Sequence, residues 1–168
     1  MIGKPAPEFR IKEWKNGEPV TFADLRGKVV LVDFWGYWCG GCVRIMPELF
    51  KLHDQYKEKG LVIVSVHDNS VASIKEMDNK LAGICEDLWD GRDLPFLVAL
   101  DGGGKTKIPN TEYEVDGETT AAYGIFAWPT TFLVDQNGIV VGPVSCFTDE
   151  CRKKVEEMLN GKHSQPNE

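Results

Sequence analysis

The run Lys28-Val-Val-Leu-Val-Asp-Phe-Trp35, followed within four residues by Cys39-Gly-Gly-Cys42, constrains this chain more than any other stretch. The run is rich in β-branched residues and bounded by Arg26-Gly27 and Gly36, the pattern of a buried strand. After the second cysteine, Val43–Tyr56 places apolar residues at helical intervals, so Cys39 stands where a strand gives way to a helix. A helix start offers unpaired N–H groups, which favour a thiolate, and the thiolate is the form that attacks disulfides.

The plainer readings of a CxxC pair are weaker. A structural zinc site takes four ligands, usually from two closely spaced pairs. The other candidate pair, Cys146 and Cys151, has a different spacing and lies far away in sequence. A two-residue gap beside Trp38 is also a poor structural brace. Redox chemistry at Cys39 and Cys42 is the expectation.

The remaining segments set the fold class. Phe9–Lys12 and Pro19–Phe22 flank Lys15-Asn-Gly-Glu18, which reads as an N-terminal β-hairpin. A second buried strand is expected at Leu61–Val66, a helix over 70–82, a further strand at Phe96–Leu100 and a short helix at Thr119–Tyr123. Residues 83–95 are ambiguous. Thr130–Val134 and Gly138–Val141 read as a hairpin around Asp135-Gln-Asn-Gly, and Asp149–Leu159 as a final amphipathic helix. Strands alternating with helices and closing on a hairpin predict an α/β fold with a mixed central sheet.

At 168 residues the chain can bury a substantial core without disulfide staples. A net charge of −7 with no basic run argues against nucleic acid or an anionic membrane as partner. The start, Met1-Ile-Gly-Lys-Pro5, has no apolar signal region, and no stretch has the length of a membrane-spanning helix. With five cysteines, at least one thiol is unpaired in a monomer.

The stretch Val30–Pro47 closely resembles the active-site segment of the thioredoxins, and Trp128-Pro-Thr-Thr-Phe-Leu-Val-Asp135 resembles their cis-proline segment with its strand. The start Gly3-Lys-Pro-Ala-Pro-Glu-Phe9 and Leu25–Lys28 are similar to the TlpA/ResA-related, AhpC/TSA-redoxin-like group. The resemblance implies a thioredoxin fold, a three-layer α/β/α sandwich, over residues 1–160. An insertion at about 102–118 would precede the cis-proline strand, and 161–168 would be a flexible tail. It implies a protein thiol–disulfide oxidoreductase, expected to run as a reductase, with Cys39 as nucleophile and Cys42 as resolving thiol.

Asp33 matches the family's buried aspartate, whose raised pKa suits it to proton transfer. Pro129 matches the cis-proline, and Trp38, Trp128, Pro129 and Thr130 are the expected substrate contacts. Trp35 is expected to be mainly packing, and Pro47 matches the family's helix proline. No cofactor and no metal are expected. The implied partners are a protein dithiol or disulfide and an upstream thiol electron donor, acting on a monomer. The compartment is open, with the resemblance favouring an extracytoplasmic one over the cytosol.

Three positions depart from the family pattern: Gly40-Gly41 replaces Gly-Pro, Trp128 replaces a smaller residue, and Ile45 stands where TlpA/ResA relatives commonly carry glutamate. Two rival classes are a peroxidase of the peroxiredoxin type and a non-catalytic thioredoxin-like binding module. The first uses a lone cysteine after a proline- and threonine-containing motif missing here, and the second would be expected to lose a cysteine. Cys85 reads as a buried small residue, Cys146 and Cys151 as a possible short-loop disulfide, and His67 as a packing histidine. Gly102–Gly104 reads as a turn leading into the insertion rather than as a phosphate loop.

Overall fold

The computed structural model describes residues 1–161. Apart from Gly161, the expected tail lies outside the described residues. The sheet is organised around β2 (Val29–Trp35), all seven residues of which are buried. It runs parallel to β3 (Leu61–His67) on one side and antiparallel to β7 (Thr130–Val134) on the other. A strand covered on both faces has no solvent side to mark with polar residues, so it reads as a continuous apolar run.

Outward from β3 lie β4 (Leu97–Asp101), parallel to it, and β1 (Ile11–Lys15), antiparallel to β4. Outward from β7 lies β8 (Val140–Val144), antiparallel. The order is β1-β4-β3-β2-β7-β8, a mixed six-stranded sheet. Between β4 and β7 the chain makes a separate two-stranded ribbon, β5 (Lys105–Lys107) and β6 (Glu114–Asp116), within the expected insertion.

The two-residue period of β2 sorts its side chains between two cores. Val29, Leu31 and Trp35 pack with α1 (Gly40–Tyr56), α2 (Ile74–Leu88) and α4 (Asp149–Leu159). Val30, Val32 and Phe34 face the other way, against Ala6, Phe22, Leu25 and the residues Tyr123 and Ile125 that follow α3 (Glu118–Ala122). The second outer layer is therefore thin: one short helix and the N-terminal segment. Asp33 has the parity of Leu31 and Trp35, which aims it at the α1 layer.

The expected N-terminal hairpin does not form. Asn16 takes the left-handed backbone that such a turn needs (φ 68°), but no strand follows it. Its side-chain amide donates instead to the carbonyls of Leu94 (2.7 Å) and Phe96 (2.8 Å). β1 thereby docks on β4, whose buried edge is a better partner than a segment that begins with Pro19 and so lacks one N–H donor. Phe22 still reaches the core and stacks on Phe9 at 4.9 Å.

The helix expected over 70–82 starts later and runs on through part of the ambiguous region. Ser73 caps it by accepting from the Glu76 N–H, while the Glu76 carboxylate accepts from the Ala72 N–H, a close relative of the capping box. The final helix occupies the expected Asp149–Leu159, capped by Thr148.

Candidate active site

Cys39 is the N-cap of α1, and its sulfur accepts from the Cys42 N–H at 3.1 Å. The two cysteines are joined as a disulfide across a Cα–Cα distance of 5.2 Å. Cys42, one turn in, has no exposed surface, while Cys39 retains 8%. The first turn of α1 carries no acidic side chain. Arg44 folds back so that its Nε donates to the Gly40 carbonyl at 2.9 Å, bringing a cation to this helix start. Both features favour negative charge on Cys39 once the bridge opens.

Trp38 stands half-exposed beside the disulfide, held by two contacts. Its indole N–H donates to Asp68 Oδ2 at 2.7 Å, and its ring meets Trp128 edge-on at 5.8 Å. Asp68 was not singled out by sequence because its partner lies thirty residues away. His67, at the end of β3, is buried. Its Nε2 accepts from the Tyr37 N–H (3.0 Å) while Nδ1 faces the Asp68 carbonyl at 2.7 Å, the arrangement of a neutral ring protonated on Nδ1. Burial lowers its pKa and keeps it neutral. His67 is thus a packing histidine that also braces the turn ahead of Cys39.

Asp33 is fully buried on the α1 side of β2. Thr131, directly opposite on β7, donates its hydroxyl to Asp33 Oδ1 at 2.8 Å, and Oδ2 has no protein partner. Burial raises its pKa from 3.8 to about 7, and the Thr131 hydrogen bond offsets only part of that rise. The carboxyl is consequently poised to exchange a proton near neutral pH.

The Trp128–Pro129 bond is cis. A Cβ built on Gly41 would sit 3.5 Å from Pro129 Cδ, so the proline faces the turn between the two cysteines. Thr130 follows it, its hydroxyl bonded to the Ala127 carbonyl at 2.8 Å. Pro129, Thr130 and Thr131, together with Ile45, line an open cavity of about 310 Å³. On the other side of the tryptophans, a cleft of about 960 Å³ is walled by Trp38, Trp128, Phe126, Tyr113 and Val115. The insertion thereby contributes to the surface around the disulfide. Cys39, Trp38, Pro129, Thr130 and Trp128 are gathered at this one surface, with Asp33 buried in the strand that leads to it.

Residues 2–142 match the model of the AhpC/TSA family. The chain belongs to the AhpC/TSA family. Over 159 residues it is 31% identical to the thiol-disulfide oxidoreductase ResA of Bacillus thuringiensis subsp. konkukian (strain 97-27), covering 94% of this chain and 76% of that one. The thioredoxin-like protein YneN of Bacillus subtilis (strain 168) is 30% identical over 162 residues, covering 94% and 78%. Among solved structures, a thiol:disulfide interchange protein from Bacteroides sp. superposes with a TM-score of 0.66 at 25% identity, over 98% of this chain and 93% of the other. Within the AhpC/TSA family this chain is thus a thiol–disulfide oxidoreductase of thioredoxin fold with a CxxC pair. Among the described residues no helix is long and apolar enough to cross a membrane.

Proposed function

We propose that this oxidoreductase works as a protein disulfide reductase, with Cys39 attacking, Cys42 resolving and Asp33 moving the proton. The observation that carries this reading is Asp33: a carboxyl buried on the α1 face whose pKa is raised to about 7. In the dithiol form, the Cys39 thiolate attacks a substrate disulfide. A bond forms between Cys39 and one substrate sulfur, and the other substrate sulfur leaves as a thiolate that takes a proton from solvent. Asp33, as carboxylate, then accepts the Cys42 proton. The Cys42 sulfur attacks Cys39, closing the disulfide and releasing the second substrate thiolate. Two electrons pass from the Cys39–Cys42 pair to the substrate, and an upstream thiol donor restores the dithiol.

Trp38, Trp128, Pro129 and Thr130 form the surface that receives the substrate backbone and its apolar side chains. Gly40 and Gly41 leave the turn without a side chain, so a protein segment can approach the sulfur closely. The physiological setting proposed is extracytoplasmic, by likeness to the TlpA/ResA group, with the chain acting as a monomer.

Insulin reduction in the presence of dithiothreitol tests the assignment. Wild-type protein accelerates precipitation of the insulin B chain and Cys39→Ser abolishes the acceleration. Cys42→Ser instead accumulates a mixed disulfide on Cys39. Activity that survives Cys39→Ser overturns the assignment.

A further inference from the structure

Two thiols outside this mechanism lie next to the site. Cys146 follows β8, and Cys151 is the third residue of α4, with the N-cap Thr148 between them. Cys151 shares the inward stripe of α4 with Val155 and Met158, which directs its sulfur under the sheet end where Cys146 emerges. Both are buried, and their sulfurs are 2.6 Å apart. That is within about 0.6 Å of a covalent S–S bond of about 2.05 Å. Among the described residues no group of three or more His, Cys, Asp or Glu side chains is placed to hold a metal ion.

The position of the pair gives it a route to the Cys39–Cys42 centre. Cys146 lies within reach of the Thr131 hydroxyl and feels the charge of Asp33. It lines the cavity that also holds Pro129 and Thr130. The next residue, Phe147, is exposed, and its ring edge stands 3.9 Å from where a Cβ on Gly41 would lie, between the two active cysteines. Cys146 and Cys151 together also line a second cleft of about 310 Å³, beside Lys51, Gln55 and Arg152.

We propose that Cys146 and Cys151 are a second, reversible dithiol–disulfide couple, whose state is transmitted to Cys39–Cys42 through the Cys146–Phe147 turn. The oxidant is a low-molecular-weight disulfide, RSSR. One thiol of the pair attacks it, forming a mixed disulfide and releasing RS⁻. The second thiol displaces the other RS⁻, and the two thiol protons end on two RSH. One S–S bond is broken and one is formed, with two electrons passing to the reagent. Closing the bridge ties the turn to the first turn of α4 and holds Phe147 against Gly41, while opening it releases that wall of the cavity. In the open state the adjacent Cys151 and burial push the Cys146 thiol's pKa up, so it reacts poorly in the manner of Cys39.

The test begins with wild-type protein and needs no activity. After treatment with excess oxidised glutathione, alkylation and peptide mapping are expected to find Cys85 as the one free thiol. The peptide containing Cys146 and Cys151 is expected to be lighter by two hydrogens, and dithiothreitol restores it without denaturant. Alkylation of Cys85, Cys146 and Cys151 alike after oxidation overturns the proposal, as does a bridge that opens only in denaturant. For the coupling, the rate at which dithiothreitol opens Cys39–Cys42 is compared between bridged wild type and Cys151→Ala, with Cys146→Ala as a second unbridged form. The rates are expected to differ by about threefold or more. Equal rates in all three proteins overturn the coupling. A failure in the insulin assay leaves the mapping result standing, so the two readings fail separately.

Discussion

Asp33 carries an ionisable group to a place that water does not reach, and its environment dictates both its chemistry and its cost. The folded protein holds the proton up to about pH 7, whereas an unfolded chain releases it near the ordinary value of 3.8. Below both values the carboxyl is protonated in either state and no charge is buried. Between them the native state binds more protons, so stability falls as pH rises, and above about pH 7 the full cost of a buried carboxylate is felt. Asp33→Asn is therefore expected to leave stability unchanged near pH 4 and to raise it at pH 8, by up to about 4 kcal/mol. Urea unfolding at the two pH values checks this. The same variant is expected to slow insulin reduction and to remove the inflection near pH 7 from its rate profile. A stabilised protein with an unchanged profile separates the electrostatic cost from the proton-transfer role and rejects the latter.

Asp33 was legible in the sequence as a carboxylate inside an apolar strand that falls at the position of the family's buried aspartate. Thr131, which holds it, was not. The pairing of β2 with β7 joins residues 98 apart, and a threonine in a strand carries no local mark of its partner. Asp68 under Trp38 and Cys146 beside Thr131 were hidden for the same reason.

At the scale of elements, α1 shows how one local defect is made good from outside. Pro47 lies inside the helix and has no N–H to offer the carbonyl four residues back, that of Val43. The indole of Trp89, buried just past the end of α2, donates to that carbonyl at 2.7 Å. Trp89→Phe is expected to cost about 1–3 kcal/mol by leaving the Val43 carbonyl buried and unpaired. In a Pro47→Ala background, where the backbone N–H returns, the same substitution is expected to cost less. A double-mutant cycle in urea reads the difference directly, and additive costs would refute the pairing.

The insertion is anchored by a comparable device. The buried Asp101 carboxylate, at the end of β4, accepts from the N–H groups of Thr119 (3.0 Å) and Thr120 (2.8 Å) and from the Thr120 hydroxyl (2.6 Å). It thus serves as the cap of α3, whose own N-cap is Gly117. That glycine has φ 107°, and a Cβ there would fall 2.1 Å from Asp101 Oδ2. Asp101→Ala takes the acceptor from these three donors and from the Gly102 N–H (2.9 Å), and is expected to cost about 3 kcal/mol. The ribbon of β5 and β6 then becomes the first site of limited proteolysis, and an unchanged cleavage pattern would contradict the anchoring role.

Over the whole molecule, the order of the central-sheet strands and the helices after Val29 was readable from their patterning, whereas the three-residue strands β5 and β6 within the insertion were not. α4 and β7 lie where periodicity places them. The start of the chain departs from the expected hairpin because Asn16 does bend the chain, but the tertiary partner of β1 is β4, reached across the intervening β2-α1-β3-α2 segment. Turn chemistry is local and strand choice is not. The site followed the same division: Cys39, Cys42 and Pro129 announce themselves by motif, whereas the network that tunes them is assembled by the sheet.

The central claim is that this centre donates electrons to protein disulfides. The most direct measurement is the equilibrium reduction potential of Cys39–Cys42, taken against a dithiothreitol redox series with the Cys146–Cys151 pair removed by substitution. The account predicts a value close to the about −270 mV of thioredoxin, and a value close to the about −120 mV of DsbA would contradict it.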